Sequence, residues 1–138
     1  GYLDWSPELD DQLDCRWNGV DPSYCDPDLF AGVQPRLYHN EGDGTWRDVS
    51  METGVEVRHP DTGQAVPKIT AAVSTDLNAD GWPDLLAACD GSRSLVYLND
   101  QSGRFEEVGI PWGLAYDRNG GAVRTLGLDA GWLPLGVG

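Results

Sequence analysis

The feature that most limits what this chain can fold into is an internal repeat. Leu37-Tyr38-His39-Asn40, then Gly44-Thr45-Trp46-Arg47-Asp48-Val49, aligns with Val96-Tyr97-Leu98-Asn99, then Gly103-Arg104-Phe105-Glu106-Glu107-Val108, at a constant offset of 59. Each copy reads as a hairpin. The reversals, Glu41-Gly42-Asp43-Gly44 and Asp100-Gln101-Ser102-Gly103, supply the positive-φ positions a tight turn demands. A second correspondence, at offset 50, matches Ala72-Val73 with Ala122-Val123, Thr75 with Thr125, Gly81-Trp82 with Gly131-Trp132 and Leu85 with Leu135. The unit is therefore a strand, a Gly-Trp loop, a strand and a hairpin. Four short strands in roughly 50 to 60 residues is the layout of a propeller blade.

In 138 residues only about two such units fit. Two blades cannot close a ring of about four to eight, so the expected fold is all-β, an incomplete propeller whose open faces need a longer parent, an oligomer or a partner. Residues 1–34 read as an irregular acidic insertion or inter-blade segment, 35–66 as the end of one blade, 67–115 as a full one and 116–138 as the start of the next. Gly 18 and Pro 9 suit a chain of many turns, and 40% hydrophobic content lifts it above the disordered range.

Twenty-three acidic against 9 basic residues give a formal charge of −14, which repels phosphate backbones and anionic headgroups and excludes nucleic acid and membrane surfaces as partners. No apolar run reaches the roughly 18 residues that a membrane span needs. The sequence starts at Gly1 without Met or a signal-peptide pattern, so its natural start reads as missing or processed. Cys15 and Cys25 lie ten apart in a Pro- and Asp-rich stretch, whereas Cys89 sits in an apolar run. The simplest division is a Cys15–Cys25 bridge, implying an oxidising compartment, with Cys89 a buried thiol; the alternative is three free thiols in a cytosolic protein.

The most chemically pointed stretch is Asp76-Leu77-Asn78-Ala79-Asp80-Gly81-Trp82-Pro83-Asp84. Side-chain oxygens of Asp76, Asn78, Asp80 and Asp84, with the backbone carbonyl of Trp82, have the alternating spacing that wraps a hard cation, and Gly81 permits the sharp bend. Three carboxylates in so short a loop repel one another unless a divalent ion compensates them. An EF-hand would leave this loop through a helix with Glu at its twelfth position, where this chain has Ala87. The flanks Ile69–Thr75 and Asp84–Cys89 read instead as strands. At offset 50 the ligand positions become Leu126, Leu128, Ala130 and Pro134, with Asp129 out of register, so that second loop is expected to bind no metal.

D-x-N-x-D-G-x-x-D between two strands, followed by L-Y-x-N and G-x-F-x-x-V, resembles the FG-GAP/VCBS-type repeat of integrin-α-like β-propellers. More narrowly, "PRLYHNEGDGTWRDVSMETGV", "DLNADGWPDLLAACD" and "LVYLNDQSGRFEEVGIPWGLAYD" are similar to the repeats of ASPIC/UnbV-type secreted proteins, and the acidic Cys-containing stretch before the first hairpin resembles an insertion found in bacterial members. The resemblance implies propeller blades with Ca2+ bound at Asp76, Asn78, Asp80, Asp84 and the Trp82 carbonyl. It also implies an extracellular or periplasmic, non-catalytic interaction or assembly module, whose partners are other proteins or further blades.

Other features weigh less. Asp43 and Asp61 read as ordinary turns, and neither His39 nor His59 has a nucleophile motif nearby. Trp46, Trp82 and Trp132 occupy repeat positions and are expected as core bulk, leaving Trp5, Trp17 and Trp112 for a ligand or partner surface. Rival readings are a carbohydrate-binding module in which tryptophans and the ion face a glycan, a fragment of an enzyme, and an accessory subunit of a large membrane or extracellular complex.

Overall fold

A computed structural model describes residues 3–131 of the chain. The architecture is all-β, built from antiparallel pairs with only two four-residue helices, and no closed ring is formed among the described residues. Its centre is a four-stranded meander of β5 (Ile69–Thr75), β6 (Asp84–Cys89), β7 (Leu95–Asn99) and β8 (Phe105–Glu107), in that spatial order. The two strands expected around the acidic loop are β5 and β6. They form because each is a short apolar run bounded by Asp, Asn and Gly, and β6 is buried deeply enough to be apolar on both faces.

The first hairpin joins β3 (Tyr38–Asn40) to β4 (Trp46–Asp48). Its register is Tyr38 opposite Asp48 and Asn40 opposite Trp46, and the β7–β8 register is Tyr97 opposite Glu107 and Asn99 opposite Phe105. The bonding is duplicated with the register. Glu41 N–H donates to the Thr45 carbonyl (3.1 Å) as Asp100 N–H does to Arg104 (2.9 Å), and Val49 N–H donates to Leu37 (2.9 Å) as Val108 does to Val96 (2.7 Å). Positive φ at Gly42 and Gly44 recurs at Gln101 and Gly103.

The structural repeat runs past the residues that matched in sequence. After β4 the chain forms helix α2 (Ser50–Thr53), where Thr53 N–H donates to Val49 (3.0 Å) and Gly54 caps the turn at φ 81°. After β8, Trp112 N–H donates to Val108 (3.0 Å) and Gly113 turns at φ 72°. Thus Val55 in the first copy is the equivalent of Leu114 in the second.

The core lies between the first copy and the meander. Val55, Ala87, Cys89, Leu95 and Tyr97 are buried together, with Leu37, Val57, Ile69, Leu85 and Phe105 packed against them. Burying a side chain such as Leu95 contributes about 1.5–3 kcal/mol. The buried Tyr97 hydroxyl donates to the Val55 carbonyl (2.8 Å) and so bonds one copy to the other.

The N-terminal segment carries helix α1 (Pro7–Asp10), capped by the Ser6 hydroxyl, the two-residue strands β1 (Arg16–Trp17) and β2 (Asp21–Pro22), and a 3-10 turn, Pro27–Leu29. Cys15 and Cys25 are bridged and Cys89 is a buried free thiol. The segment is held to the meander by charge: Arg124 binds Asp26 (2.9 Å), Asp28 (2.7 Å) and Asp90 (3.3 Å), and Lys68 Nζ donates to the Pro27 carbonyl (2.8 Å).

One expectation fails here. Trp46 and Trp82 are not core bulk: they are 65% and 46% exposed, because no part of the described chain covers the outer face of the first hairpin or the tip of the loop. Residues 116–131 form no strand. Thr125 bonds to Cys89 (3.1 Å) and to Thr70 (2.6 Å), but the remainder finds no ladder to join, and a strand without a neighbour leaves its backbone unpaired. Trp132, Pro134 and Leu135 lie outside the described residues.

Candidate metal centre

The loop between β5 and β6 is shaped by its own side chains. Asp76 accepts the N–H groups of Asp80 (3.1 Å) and Gly81 (2.8 Å), one on each carboxylate oxygen. Asn78 Oδ1 also accepts Asp80 N–H (3.1 Å), and Asp80 Oδ1 accepts Trp82 N–H (2.8 Å). These bonds bend the chain over Ala79 (φ 64°) and Gly81 (φ 87°), which is the left-handed geometry that aspartate and glycine residues stabilise. The Trp82 amide and then the Asn78 amide hold the Asp80 carboxyl below the usual aspartate range.

Asp84 differs from the other acids. It opens β6 and is fully buried, with Oδ2 accepting Leu77 N–H (2.8 Å) and Oδ1 accepting Asn99 N–H (2.8 Å). Asn99 returns a bond from its side-chain amide to the Pro83 carbonyl (3.2 Å). One carboxylate therefore ties the loop to the β6–β7 edge. No Lys, Arg or His pairs with Asp84 among the described residues. Buried carboxylates are ordinarily paired with a cation or a metal.

Asp76, Asn78 and Asp80 are thus brought together through shared backbone donors, and Asp84 closes the loop from beneath. Among the described residues no three His, Cys, Asp or Glu side chains converge as a ready-made metal cluster. The loop's donors are oxygens, the type a hard cation takes, and each carboxylate oxygen keeps a second lone pair beside its amide bond. Asn99 is the member that inspection of the loop alone misses. Its signal lay in the repeat, where Asn40 and Asn99 occupy the same place.

The equivalent stretch near residue 129 is different: Asp129 Oδ1 accepts the adjacent Ala130 N–H (2.8 Å). Asp43 accepts the N–H and hydroxyl of Thr45 (2.9 and 2.6 Å) in an ordinary turn. His39 lies in β3 and His59 in the loop before Ala65. Trp5, Trp17 and Trp112 are exposed. Leu3, Trp5, Asp10, Tyr24 and Phe30 line an open cleft of about 800 Å³ beside the disulfide.

No curated protein and no solved structure matches the chain. The model of the FG-GAP-like repeat family matches residues 76–129, beginning at the first acid of the loop. The match is to the repeat and carries no narrower grouping. The candidate loop, strands β6 to β8 and the turn that follows them are accordingly the part of the chain that is similar to an FG-GAP-like repeat.

Proposed function

We propose that this chain is an exported, non-catalytic protein-interaction module whose strand-to-strand loop is held by one calcium ion. The observation that carries the reading is Asp84: a fully buried carboxylate, without a basic partner among the described residues, at the joint between an acidic loop and two core strands. Calcium would be held by the Asp76, Asn78, Asp80 and Asp84 side chains and the Trp82 carbonyl. It would supply the positive charge that three carboxylates in one turn require. FG-GAP-like repeats are typical of integrin-like interaction modules and of exported proteins, and the bridged Cys15 and Cys25 accord with an oxidising compartment. No helix of the described residues is long and apolar enough to cross a membrane. The carboxylates of the loop are engaged by backbone amides, which suits a structural rather than a chemical role.

Partners would be other proteins or further blades, in the manner of an accessory subunit of a larger assembly. A glycan is the second reading, favoured by the cleft that Trp5 and Tyr24 line. Thermal melting with calcium and with chelator tests the first. An ion that binds only the folded chain stabilises by about 2.7 kcal/mol at a hundredfold excess over Kd, so the midpoint should fall on chelation. An unchanged midpoint at low salt rejects the calcium site.

A further inference from the structure

At the end of β5 and β6 away from the acidic loop, where Ile69 lies opposite Cys89, three segments enclose a cleft of about 480 Å³. They are the stretch after helix α2, from Val57 to Val66, the β6–β7 turn at Gly91–Arg93, and the chain after β8, from Ile110 to Ala122. All of its walls come from the interior of the sequence. The volume falls in the range of about 300–1,000 Å³ that small-molecule sites occupy. Its charge sets it apart: 23 of the 138 residues are Asp or Glu, yet none lines this cleft, whereas Arg58, His59 and Arg93 do. The cleft beside the disulfide is the reverse, with Asp10 and no basic residue in its lining.

The cationic groups are held in place and keep donors to spare. Arg58 bridges to Ala65 across a tight loop, in which His59 N–H donates to the Gln64 carbonyl (2.9 Å) and Gly63 N–H to the His59 carbonyl (2.9 Å). Arg58 Nη1 donates to the Gly63 carbonyl (3.2 Å) and Nη2 to Glu56 (3.0 Å), so a hydrogen on each and that of Nε stay unused among the described residues. His59 Nδ1 accepts Asp61 N–H (3.3 Å), which leaves the proton of the neutral ring on Nε2 as a further donor. The Arg93 side chain is largely buried, and its Nη1 lies 2.6 Å from Glu107 but off the axis of a hydrogen bond. Glu107 is itself shared, since its Oε1 accepts Gly109 N–H (2.8 Å) and Val96 N–H (3.4 Å). Arg93 therefore has a single carboxylate oxygen for all its N–H groups among the described residues.

We infer that this cleft binds a small organic monocarboxylate with an apolar body, its carboxylate on Arg58 and Arg93 and its body against Val57, Val66, Ile110 and Tyr116. A guanidinium presents paired donors that match the two oxygens of a carboxylate. Ile110 and Tyr116 are 57% and 45% exposed, so a ligand that covers them buries apolar surface on both sides of the contact. One negative charge is selected over two. Glu56 and Glu107 already compensate the two guanidiniums, and the whole chain carries a formal −14, so a dianionic phosphate ester meets twice the repulsion. The site lies apart from the acidic loop, goes beyond the interaction reading and does not depend on it.

The test is an NMR titration of the full chain, read at its backbone amides, with hexanoate, cyclohexylacetate and phenylacetate, each beside its primary alcohol and the phosphate monoester of that alcohol. At least one acid should shift the amides of Arg58–Val66, Gly91–Arg93 and Ile110–Ala122 to saturation, and bind about tenfold or more tightly than its alcohol and its phosphate ester. Arg58→Gln and Arg93→Lys should each weaken that acid about tenfold, the first by removing a charge and the second by removing the paired donors. Arg104→Gln, in the hairpin between β7 and β8, should leave it unchanged. The Arg58 side chain is exposed, so its variant keeps the fold, which the same spectra verify. No saturable shift with any of the three acids, an alcohol that binds as well as its acid, a phosphate ester that binds more tightly, or an affinity unchanged in Arg58→Gln overturns the inference.

Discussion

Asp84 is a fully buried carboxylate that accepts two backbone amides and has no basic partner among the described residues. Asp84→Ala removes the acceptor from two amides and should cost about 2–5 kcal/mol in denaturant unfolding, while Asp129→Ala, in the unmatched loop, should cost little. A loss as small as that of Asp129→Ala would show that Asp84 holds nothing. Gln101 is a different case. It adopts φ 68° where the sister hairpin has Gly42, so Gln101→Gly should stabilise by up to about 1 kcal/mol. The acids that accept turn amides set the response to pH. Asp26, Asp43, Asp48, Asp80 and Asp100 all lie below the ordinary value of 3.8, chiefly through hydrogen bonds from neighbouring amides or hydroxyls. Their folded pKa is depressed, so the stability they contribute is complete above pH 3.8 and is lost as pH falls through the folded values. A melting midpoint that holds steady from neutrality to about pH 4 and then drops is the expected profile.

At the scale of elements, the Val55–Tyr97 contact joins two copies of one hairpin. Tyr97→Phe should cost about 1 kcal/mol by leaving the Val55 carbonyl without its donor, and Leu95→Ala about 2–5 kcal/mol by opening a cavity in the same cluster. Tyr38→Phe, at the equivalent but exposed position, should leave the stability of the single chain unchanged; equal losses at Tyr38 and Tyr97 would contradict the packing described. Burial also raises the Cys89 thiol above its ordinary 9.0, so it should resist thiol reagents until the protein unfolds. Much of this was legible in the residues. The offset of 59 fixed both hairpins and their register, and the flanks of the acidic loop announced β5 and β6. The burial of particular residues was less legible. Trp46 and Phe105 share a repeat position, yet only Phe105 has a neighbour to pack on, and composition says nothing of which copy is covered. Helix α2 and its counterpart after β8 escaped too, because Ser50–Thr53 and Gly109–Trp112 share a backbone path and no side-chain pattern. The Arg124 contacts with Asp26 and Asp28 join residues almost a hundred apart, and no local spacing signals them.

At the scale of the molecule, the acidic loop belongs to the four-stranded unit β5 to β8, whose last hairpin is repeated in β3 and β4. The loop was legible as a candidate cation site from its donors alone, because hard ions select oxygen at alternating positions whatever the fold around them. Asn99 was not, since its contribution arises only when β7 is laid beside β6. The acidic N-terminal segment depends on its bridge and on Arg124 for its place, and reduction of Cys15–Cys25 should loosen it while leaving the β5–β8 sheet intact, which amide exchange would resolve. The central claim is the ion in the β5–β6 loop, and calcium titration by calorimetry on the metal-stripped protein tests it most directly. One calcium per chain, lost in Asp76→Asn and in Asp84→Asn but kept in Asp129→Asn, is the predicted result; heat indistinguishable from dilution in the wild-type protein would contradict it.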